Sequence, residues 1–178
     1  MSHLSRVYGL ARNRQRVRRF SDRSVPAELL ERVLDCGRYA PSASEDQPWR
    51  FVVVRDALAR RRLAAAAFHE ERARTAPVLV VGCARIHSRV SGSGRPAHPV
   101  DLAAATQAMA LAAADLGLQA VWLRGYREPT VRDVIGAPPD VPVISLLAIG
   151  YPDGFDPLPA RRPVEEVICR ETWKEGGA

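Results

Sequence analysis

Four continuous apolar runs constrain the fold more than any other feature of this sequence. They occupy residues 50–55, 76–84, 120–125 and 143–151 and are rich in β-branched side chains, which is typical of strands. Segments with a helical pattern separate them along the chain. Strands that lack polar alternation need cover on both faces, so the pattern predicts a central sheet with helices on either side.

Helices are predicted before the first of these strands and between them. Leu29, Leu30, Val33, Leu34 and Gly37 share one face of a helix that Pro26 begins and the Pro41 turn ends. Asp56 is predicted to cap a helix reaching about Arg74, and Asp101 a helix over 102–116 that Gly117 ends. Shorter helices are predicted over 4–13 and 130–135. The 102–116 helix is apolar nearly all round, which favours burial in a dimer interface.

The composition indicates a single soluble domain over residues 1–178. The chain is 47% hydrophobic and 26% charged, and it contains no apolar run of 18 residues. Its three cysteines are far apart, which favours a reducing, cytoplasmic setting over a disulfide framework or a zinc site. The Arg-rich start would also suit a transit peptide. Residues 85–100 are rich in Gly, Ser and Pro and predict a flexible active-site loop.

The basic character of the chain is local. The net charge is +6, and residues 1–23 alone hold seven arginines and one acid. Arg12, Arg14, Arg16 and Arg18 alternate, so in an extended chain they would share a face and bind a phosphate between them. A solvated basic arm with loose affinity for nucleic acid is an equally weighted alternative.

Three further stretches are candidates for binding. In APSASEDQPW (40–49), hydroxyl and amide side chains beside Trp49 suit a heteroaromatic ligand, although a well-packed turn would look the same. VWLRGY (121–126) contains Gly125, where a flat ligand could approach the backbone. ARRP (160–163) offers two arginines for a second phosphate contact. The four histidines have no metal-ligand spacing, and no Ser-His-Asp or Cys-His arrangement is present.

The order of these segments resembles the nitroreductase family of flavoproteins. An Arg-x-x-x-Arg-x-Phe segment (Arg14, Arg18, Phe20) precedes VPAELLERVLDCGRYAPSASEDQPWRFVVV. TAPVLVV, AAADLGLQAVWLRG, AIGYP and RRPVEEVI follow in that order. The resemblance covers residues 10 to 168. It implies an α+β fold, a three-layer α/β/α arrangement with a central mixed sheet, and a helical dimer interface.

The resemblance also implies FMN at each of two shared sites of a homodimer. Arg14 and Arg161 would contact the phosphate, and Arg18 the pyrimidine edge of the ring. Pro41 and Ser42 would reach the flavin of the partner subunit. The full set of implied cofactor-binding residues is Arg14, Gln15, Arg16, Arg18, Pro41, Ser42, Ala43, Glu45, Gln107, Leu123, Arg124, Gly125 and Arg161. Leu123, Arg124 and Gly125 would lie near the flavin N5 atom.

The implied activity is hydride transfer between NADH or NADPH and an electron-poor acceptor such as a nitroaromatic or a quinone. It would follow a ping-pong scheme in which the flavin carries the chemistry and no catalytic side chain is essential. Arg18 would stabilise the reduced ring. An FMN-dependent dehydrogenase or flavin-modifying enzyme of a biosynthetic pathway is one alternative. The other is a flavin-free polyanion-binding protein that uses the arginine arm; membrane partners are not expected and nucleic acid is disfavoured.

The chain departs from the family pattern at five positions. Arg16 replaces a small polar residue, Ala43 a Ser, and Glu45 an Asn, while Phe68 and Glu71 stand where many members supply Asn and Lys to the flavin. Arg16 is predicted to compensate by binding the phosphate itself. The alternative is a weakened affinity for FMN.

Overall fold

The computed structural model describes residues 4–12, 15–85, 90 and 94–173. The α-helices are α1 (Leu4–Arg12), α2 (Ala27–Arg38), α3 (Ala57–Ala66), α4 (Glu71–Thr75), α5 (His98–Asp115), α6 (Glu128–Ile135) and α7 (Val164–Val167). The strands are β1 (Arg16–Val17), β2 (Trp49–Val54), β3 (Val78–Ala84), β4 (Gln119–Leu123), β5 (Val143–Gly150) and β6 (Phe155–Asp156). Residues 43–45 form a single 3₁₀ turn.

The main sheet has four strands in the order β2-β3-β5-β4, and its three ladders are all antiparallel. The resemblance implied a mixed sheet, and in this respect the described strands differ from it. The register shows the antiparallel direction, because Leu79 and Val80 of β3 face Ala148 and Leu147 of β5, in the opposite order. A second sheet is the short antiparallel pair β1-β6.

Two hydrophobic cores lie on opposite faces of the main sheet. Alternate residues of β5 enter different cores: Leu146 and Ala148 pack with α3, α4 and α6, while Leu147 and Ile149 pack with α2 and α5. Every residue of β3 is buried, which explains why the sequence of this strand is continuously apolar. The predicted three-layer α+β architecture is therefore confirmed.

Several predicted elements have different bounds. The helix predicted over 56–74 is two helices, because the chain turns sharply at Phe68 and His69. Helix α5 begins at His98, inside the predicted loop, with Pro99 in its first turn. Asp101 therefore lies within the helix and does not cap it. Residues 86–89 and 91–93 of the predicted loop lie outside the described residues.

The strands also depart from expectation in detail. Strand β2 is at the edge of the sheet and only partly buried, and the strand predicted over 120–125 ends at Leu123. The tail, residues 161–173, contains the short helix α7 and is exposed throughout. In the described part of the chain, no helix is both long and apolar enough to cross a membrane.

Candidate functional site

A groove of about 1320 Å³ runs between α1, α5 and the strand β4 at the edge of the main sheet. Its walls also include β1, the segment after β4, the start of α4 and the chain after β6. The residues that line it include Arg6, Gln15, Arg16, Glu70, Arg72, Thr106, Gln107, Ala110, Leu111, Ala114, Trp122, Arg124 and Gly125. The volume exceeds that of a usual single-ligand pocket, so the groove has room for more than one small molecule.

The floor of the groove is formed mainly by small and apolar side chains because of the residue spacing on α5 and β4. Thr106, Ala110 and Ala114 are four residues apart and therefore lie on one face of α5. Their small side chains leave open space beside Trp122 of β4, which is half-buried. A planar ring system would fit against such a surface.

A buried hydroxyl pair lies directly beneath this floor. The Thr106 hydroxyl donates to the Ser145 hydroxyl over 3.1 Å and so joins α5 to β5. Gly82 of β3 faces the same point, where an added Cβ would collide with the Ser145 oxygen. The glycine is therefore needed for the close approach of α5 to the sheet.

An ion pair closes the α1 end of the groove. Arg6 donates from Nε and Nη2 to the two carboxylate oxygens of Asp115, each over 2.7 Å, and so connects α1 to the last turn of α5. The hydrogen bond to Asp115, reinforced by its charge, raises the pKa of Arg6. Sequence patterns gave no signal for this pair, since its members are 109 residues apart.

The arginine segment is only partly the array that its spacing predicts. Arg16 and Arg18 do share a face, but they also share an acid: their Nε atoms lie 3.8 Å and 2.9 Å from oxygens of Asp156 on β6. Arg12 belongs to α1, with its guanidinium carbon 5.9 Å from the ring centroid of Tyr8, so it does not join that face. Arg14 lies outside the described residues.

Polar groups converge where β4 ends. Arg124 follows the strand, and its guanidinium carbon lies 5.3 Å from the ring centroid of Trp122. In the described part of the chain no carboxylate forms an ion pair with it. Gly125 is exposed and belongs to the connection to α6, so its backbone is open to the groove. Sequence reasoning singled out this stretch but not Trp122 as a lining residue.

The turn between α3 and α4 borders the same end of the groove. Phe68 N–H donates to Ala65 O over 3.2 Å and His69 N–H to Ala64 O over 2.8 Å, which is the Schellman pattern of helix termination. Phe68 occupies the left-handed position of that motif, with φ 55°, and His69 follows at φ 56°. Glycine is the usual residue there, and each non-glycine residue costs roughly 1–2 kcal/mol.

The neighbours of this turn complete the wall. Glu70 and Arg72 form an ion pair that lines the groove, and both side chains are about a quarter exposed. Glu71, one of the departures from the family pattern, instead accepts from Arg74 on its own helix. Sequence reasoning missed the Glu70–Arg72 pair because it treated this region as one continuous helix.

A hydrogen-bonded cluster supports the segment after Gly125 from below. The Tyr126 hydroxyl donates to Val143 O over 3.1 Å, and Glu128 accepts from Val143 N–H and from Arg132. Burial, together with the nearby Glu128 carboxylate, raises the pKa of Tyr126 to about 12. Burial is also the main cause that raises the pKa of Cys83, on the neighbouring strand β3, to about 11.

The loop over residues 40–49 lies outside the groove, beside the start of α5. Ala43 N–H donates to the Asp101 carboxylate over 3.2 Å, in the first turn of α5, and Gln47 N–H donates to the Ser42 hydroxyl over 2.9 Å. The groove instead involves α5 from Thr106 to Ala114, about 8–20 Å further along the helix axis. Pro41, Ser42, Ala43 and Glu45 do not line the groove of their own chain.

Five of the other predicted site residues line the groove, and Leu123, Arg18 and Arg161 do not. Gln15, Arg16, Gln107, Arg124 and Gly125 line one groove together. The Leu123 side chain is buried in the core, so only its backbone could reach a ligand, and Arg18 points to Asp156 and to Phe155 O. Arg161 is exposed in the tail. The described residues contain no cluster of His, Cys, Asp and Glu that could hold a metal ion.

A layered α+β fold with a wide groove at the sheet edge is the architecture of a known class. A sequence model of the nitroreductase family matches residues 11–73 and 67–151. A protein of Archaeoglobus fulgidus, named as a candidate NADH dehydrogenase/NAD(P)H nitroreductase, is 34% identical over 174 residues, which cover 90% of this chain and 94% of that protein. The chain belongs to the nitroreductase family.

Solved structures agree with this assignment. A nitroreductase family protein from Clostridium difficile 630 superposes with a TM-score of 0.81 at 29% identity, covering 92% of this chain and 97% of that one. Oxidized iodotyrosine deiodinase bound to FMN and 3-iodo-L-tyrosine superposes with a TM-score of 0.80 at 24% identity, covering 93% and 98% of the two chains. At 24% identity, the similarity to the deiodinase supports the fold alone.

Proposed function

We propose that this protein is an FMN-dependent oxidoreductase that moves a hydride between NAD(P)H and an electron-poor acceptor such as a nitroaromatic or a quinone. The observation that carries the proposal is the groove, where a mainly apolar floor, an arginine-bearing wall and an exposed glycine backbone meet in one place. The relative from Archaeoglobus fulgidus is named for this activity, and the related deiodinase structure contains FMN.

The groove fits a flavin in its shape and in the chemistry of its walls. The small residues of α5 opposite Trp122 leave a slot for the ring. Gly125 would present its backbone N–H to N5, with Leu123 and Arg124 beside it. When bound, FMN accepts a hydride from NAD(P)H and passes electrons to the acceptor.

The cations of the groove favour an anionic ligand. Arg6 and Arg72 already have carboxylate partners, but Arg124 has no ion-pair partner among the described residues and Arg16 is 3.8 Å from a carboxylate that Arg18 also uses. We assign Arg16 to the phosphate. The arginine that departs from the family pattern would then itself supply a contact to FMN. Arg14 and Arg161 are further proposed phosphate contacts, and Gln15 and Gln107 are proposed polar contacts along the groove.

A homodimer would complete the site. Apolar side chains are exposed outside the groove, where α7 and the chain after it present Val164, Val167, Ile168 and Trp173. Pairing through these surfaces would bring Pro41, Ser42, Ala43 and Glu45 of each chain to the groove of the other. We propose Arg18 as the residue nearest the pyrimidine edge, which requires it to leave Asp156. The cytoplasm is the proposed location.

The spectrum of the purified protein tests the proposal directly. The protein is incubated with FMN, passed over a gel-filtration column, and scanned in the visible range. We expect flavin bands that coelute with a dimer and that bleach on addition of NADH or NADPH. A colourless protein after loading would contradict the proposal, and the nucleotide that bleaches at lower concentration identifies the electron donor.

Arg16 gives the sharpest variant. Arg16→Ala is expected to weaken FMN binding about tenfold, because a charge-assisted contact to the phosphate is lost. Its free energy of unfolding should change by less than about 1 kcal/mol, since the pair with Asp156 is exposed. Arg62→Ala, an exposed arginine of α3, is the matched control. Equal FMN dissociation constants for both variants, measured by fluorescence titration, would remove Arg16 from the site.

A second candidate retains FMN and changes the reaction. The deiodinase structure has the same fold and contains 3-iodo-L-tyrosine beside FMN, so this architecture is compatible with more than one flavin reaction. An FMN-dependent dehydrogenase or flavin-modifying enzyme is indicated if flavin binds and neither NADH nor NADPH bleaches it. The flavin-free polyanion-binding alternative is disfavoured, because Arg16 lines a groove whose apolar residues Ala110, Ala114 and Trp122 a polyanion would leave unused.

A further inference from the structure

Neither helix termination nor core packing explains why residue 68 is a phenylalanine. The left-handed place that it occupies in the Schellman turn favours glycine. A large apolar side chain could offset that cost by entering the core, but Phe68 is 60% exposed. Strained residues of this kind persist where the surrounding structure holds them, and they cluster at sites that bind ligands.

Three contacts hold the ring at the rim of the groove. An added Cβ on Gly125 would lie 3.6 Å from two ring carbons of Phe68, so the ring is the immediate neighbour of that glycine. The guanidinium carbon of Arg127 lies 5.2 Å from the ring centroid. Arg127 N–H also donates to Ala66 O over 2.9 Å, which ties the segment after β4 to the end of α3.

The rim position distinguishes the two ligands that the groove would hold. A tightly bound cofactor contacts the lining residues. Phe68 is not one of them, but its exposed ring is the immediate neighbour of Gly125, where the proposed function places the reactive edge of the flavin. A molecule that enters and leaves in each turnover would pass this ring, and an exposed aromatic face is a good surface for another planar ring.

We infer that Phe68 is a specificity-determining residue that contacts the ring of a planar aromatic electron acceptor at the rim of the groove. The inference rests on the proposed function, and it adds the residue that selects acceptors with a planar ring. The backbone at residue 68 keeps its left-handed conformation because that conformation points the ring towards Gly125.

Three variants separate the ring from the backbone. Phe68→Ala removes the ring and keeps a non-glycine residue in the left-handed position. Phe68→Gly removes both the ring and the backbone cost, while His69→Gly relieves the neighbouring left-handed residue and keeps the ring. We expect Phe68→Gly and His69→Gly to raise Tm by about 2–4 °C and Phe68→Ala to leave it nearly unchanged.

Acceptor selectivity is measured on the FMN-loaded full-length protein with 4-nitrobenzoate and with ferricyanide, which has no ring. The ratio of kcat/KM for 4-nitrobenzoate to that for ferricyanide should fall about fivefold in Phe68→Ala and Phe68→Gly, mainly through KM. In His69→Gly it should equal the wild-type ratio. The dissociation constant of benzoate, read from perturbation of the visible flavin band, should rise by a similar factor in the two Phe68 variants.

The outcomes distinguish this inference from the proposed function. A wild-type protein that takes up no FMN removes both. A loaded wild type whose Phe68→Ala variant keeps the acceptor ratio and the benzoate affinity removes the inference alone. A ratio that falls as far in His69→Gly as in Phe68→Ala also overturns it, because the turn and not the ring would then be responsible.

Discussion

Burial is the main cause of the raised pKa of the Cys83 thiol, ahead of the charge on Glu128. The thiol lies in the core between the sheet and helices α3, α4 and α6, with Glu128 nearby. Removing its proton would create an anion with little water around it, so its pKa rises to about 11 from an ordinary value of 9.0. The thiol is therefore neutral at physiological pH and acts as a small apolar side chain.

This shift predicts a loss of stability in alkali. The folded protein holds the Cys83 proton more tightly than the unfolded chain, so the contribution is fully present below pH 9 and is lost as pH rises towards 11. Tyr126, with a pKa of about 12, adds a similar loss from pH 10 upward. Urea unfolding at pH 8, 9, 10 and 11 measures the effect.

Cys83→Ala provides the specific comparison, and Cys169→Ala, which removes an exposed thiol, is the control. We expect wild type and Cys169→Ala to lose free energy of unfolding with the same slope between pH 9 and 11. Cys83→Ala should lose less over that interval, whatever its stability at pH 8. An equal slope in all three proteins would show that other groups cause the alkaline loss.

At the scale of elements, the sequence predicted the helices that carry ordinary end signals and misjudged those that do not. Helix α2 begins after Pro26 and α6 ends at Gly136, whose φ is 66°, as expected. Helix α3 ends at a left-handed phenylalanine, and no glycine or asparagine marks the stop. Tertiary contacts to Gly125 and Arg127 determine that end, and they cannot be seen in the local sequence.

The site shows the same division between local and distant information. The resemblance nominated Gln15, Arg16, Gln107, Arg124 and Gly125, and these residues line one groove. The Arg6–Asp115 pair, the role of Trp122 and the sharing of Asp156 by two arginines depend on residues far apart in sequence. Alternation of arginines predicts a common face, but it cannot predict which acid will meet that face.

The start of α3 gives a prediction at this scale. The Asp56 carboxylate accepts from Ala59 N–H over 2.7 Å and satisfies one of the unpaired donors of the first turn. Asp56→Ala should lower the free energy of unfolding by about 1 kcal/mol, whereas Asp56→Asn should cost much less. Chemical denaturation compares them. A loss in Asp56→Asn as large as in Asp56→Ala would contradict a capping role.

At the scale of the whole molecule, the exposed apolar tail makes self-association measurable. Val167→Asp with Ile168→Asp is expected to shift the protein from dimer to monomer in light scattering and to weaken FMN binding, because the proposed site needs both chains. Leu58→Asp, on an exposed position of α3, is the matched control and should leave the mass unchanged. A dimer that persists in the double variant would exclude the tail from the interface.

The arrangement of the main sheet also bears on how the chain is made. Strand β3 is buried along its whole length, and its central partner is β5, so that Leu79 pairs with Ala148, 69 residues later. During synthesis β3 leaves the ribosome long before that partner exists, with β2 alone available on its other edge. Pairings of such high sequence separation form slowly. The growing chain therefore carries an unprotected, aggregation-prone strand until residue 150 emerges, and chaperones that bind nascent chains would have their principal target there.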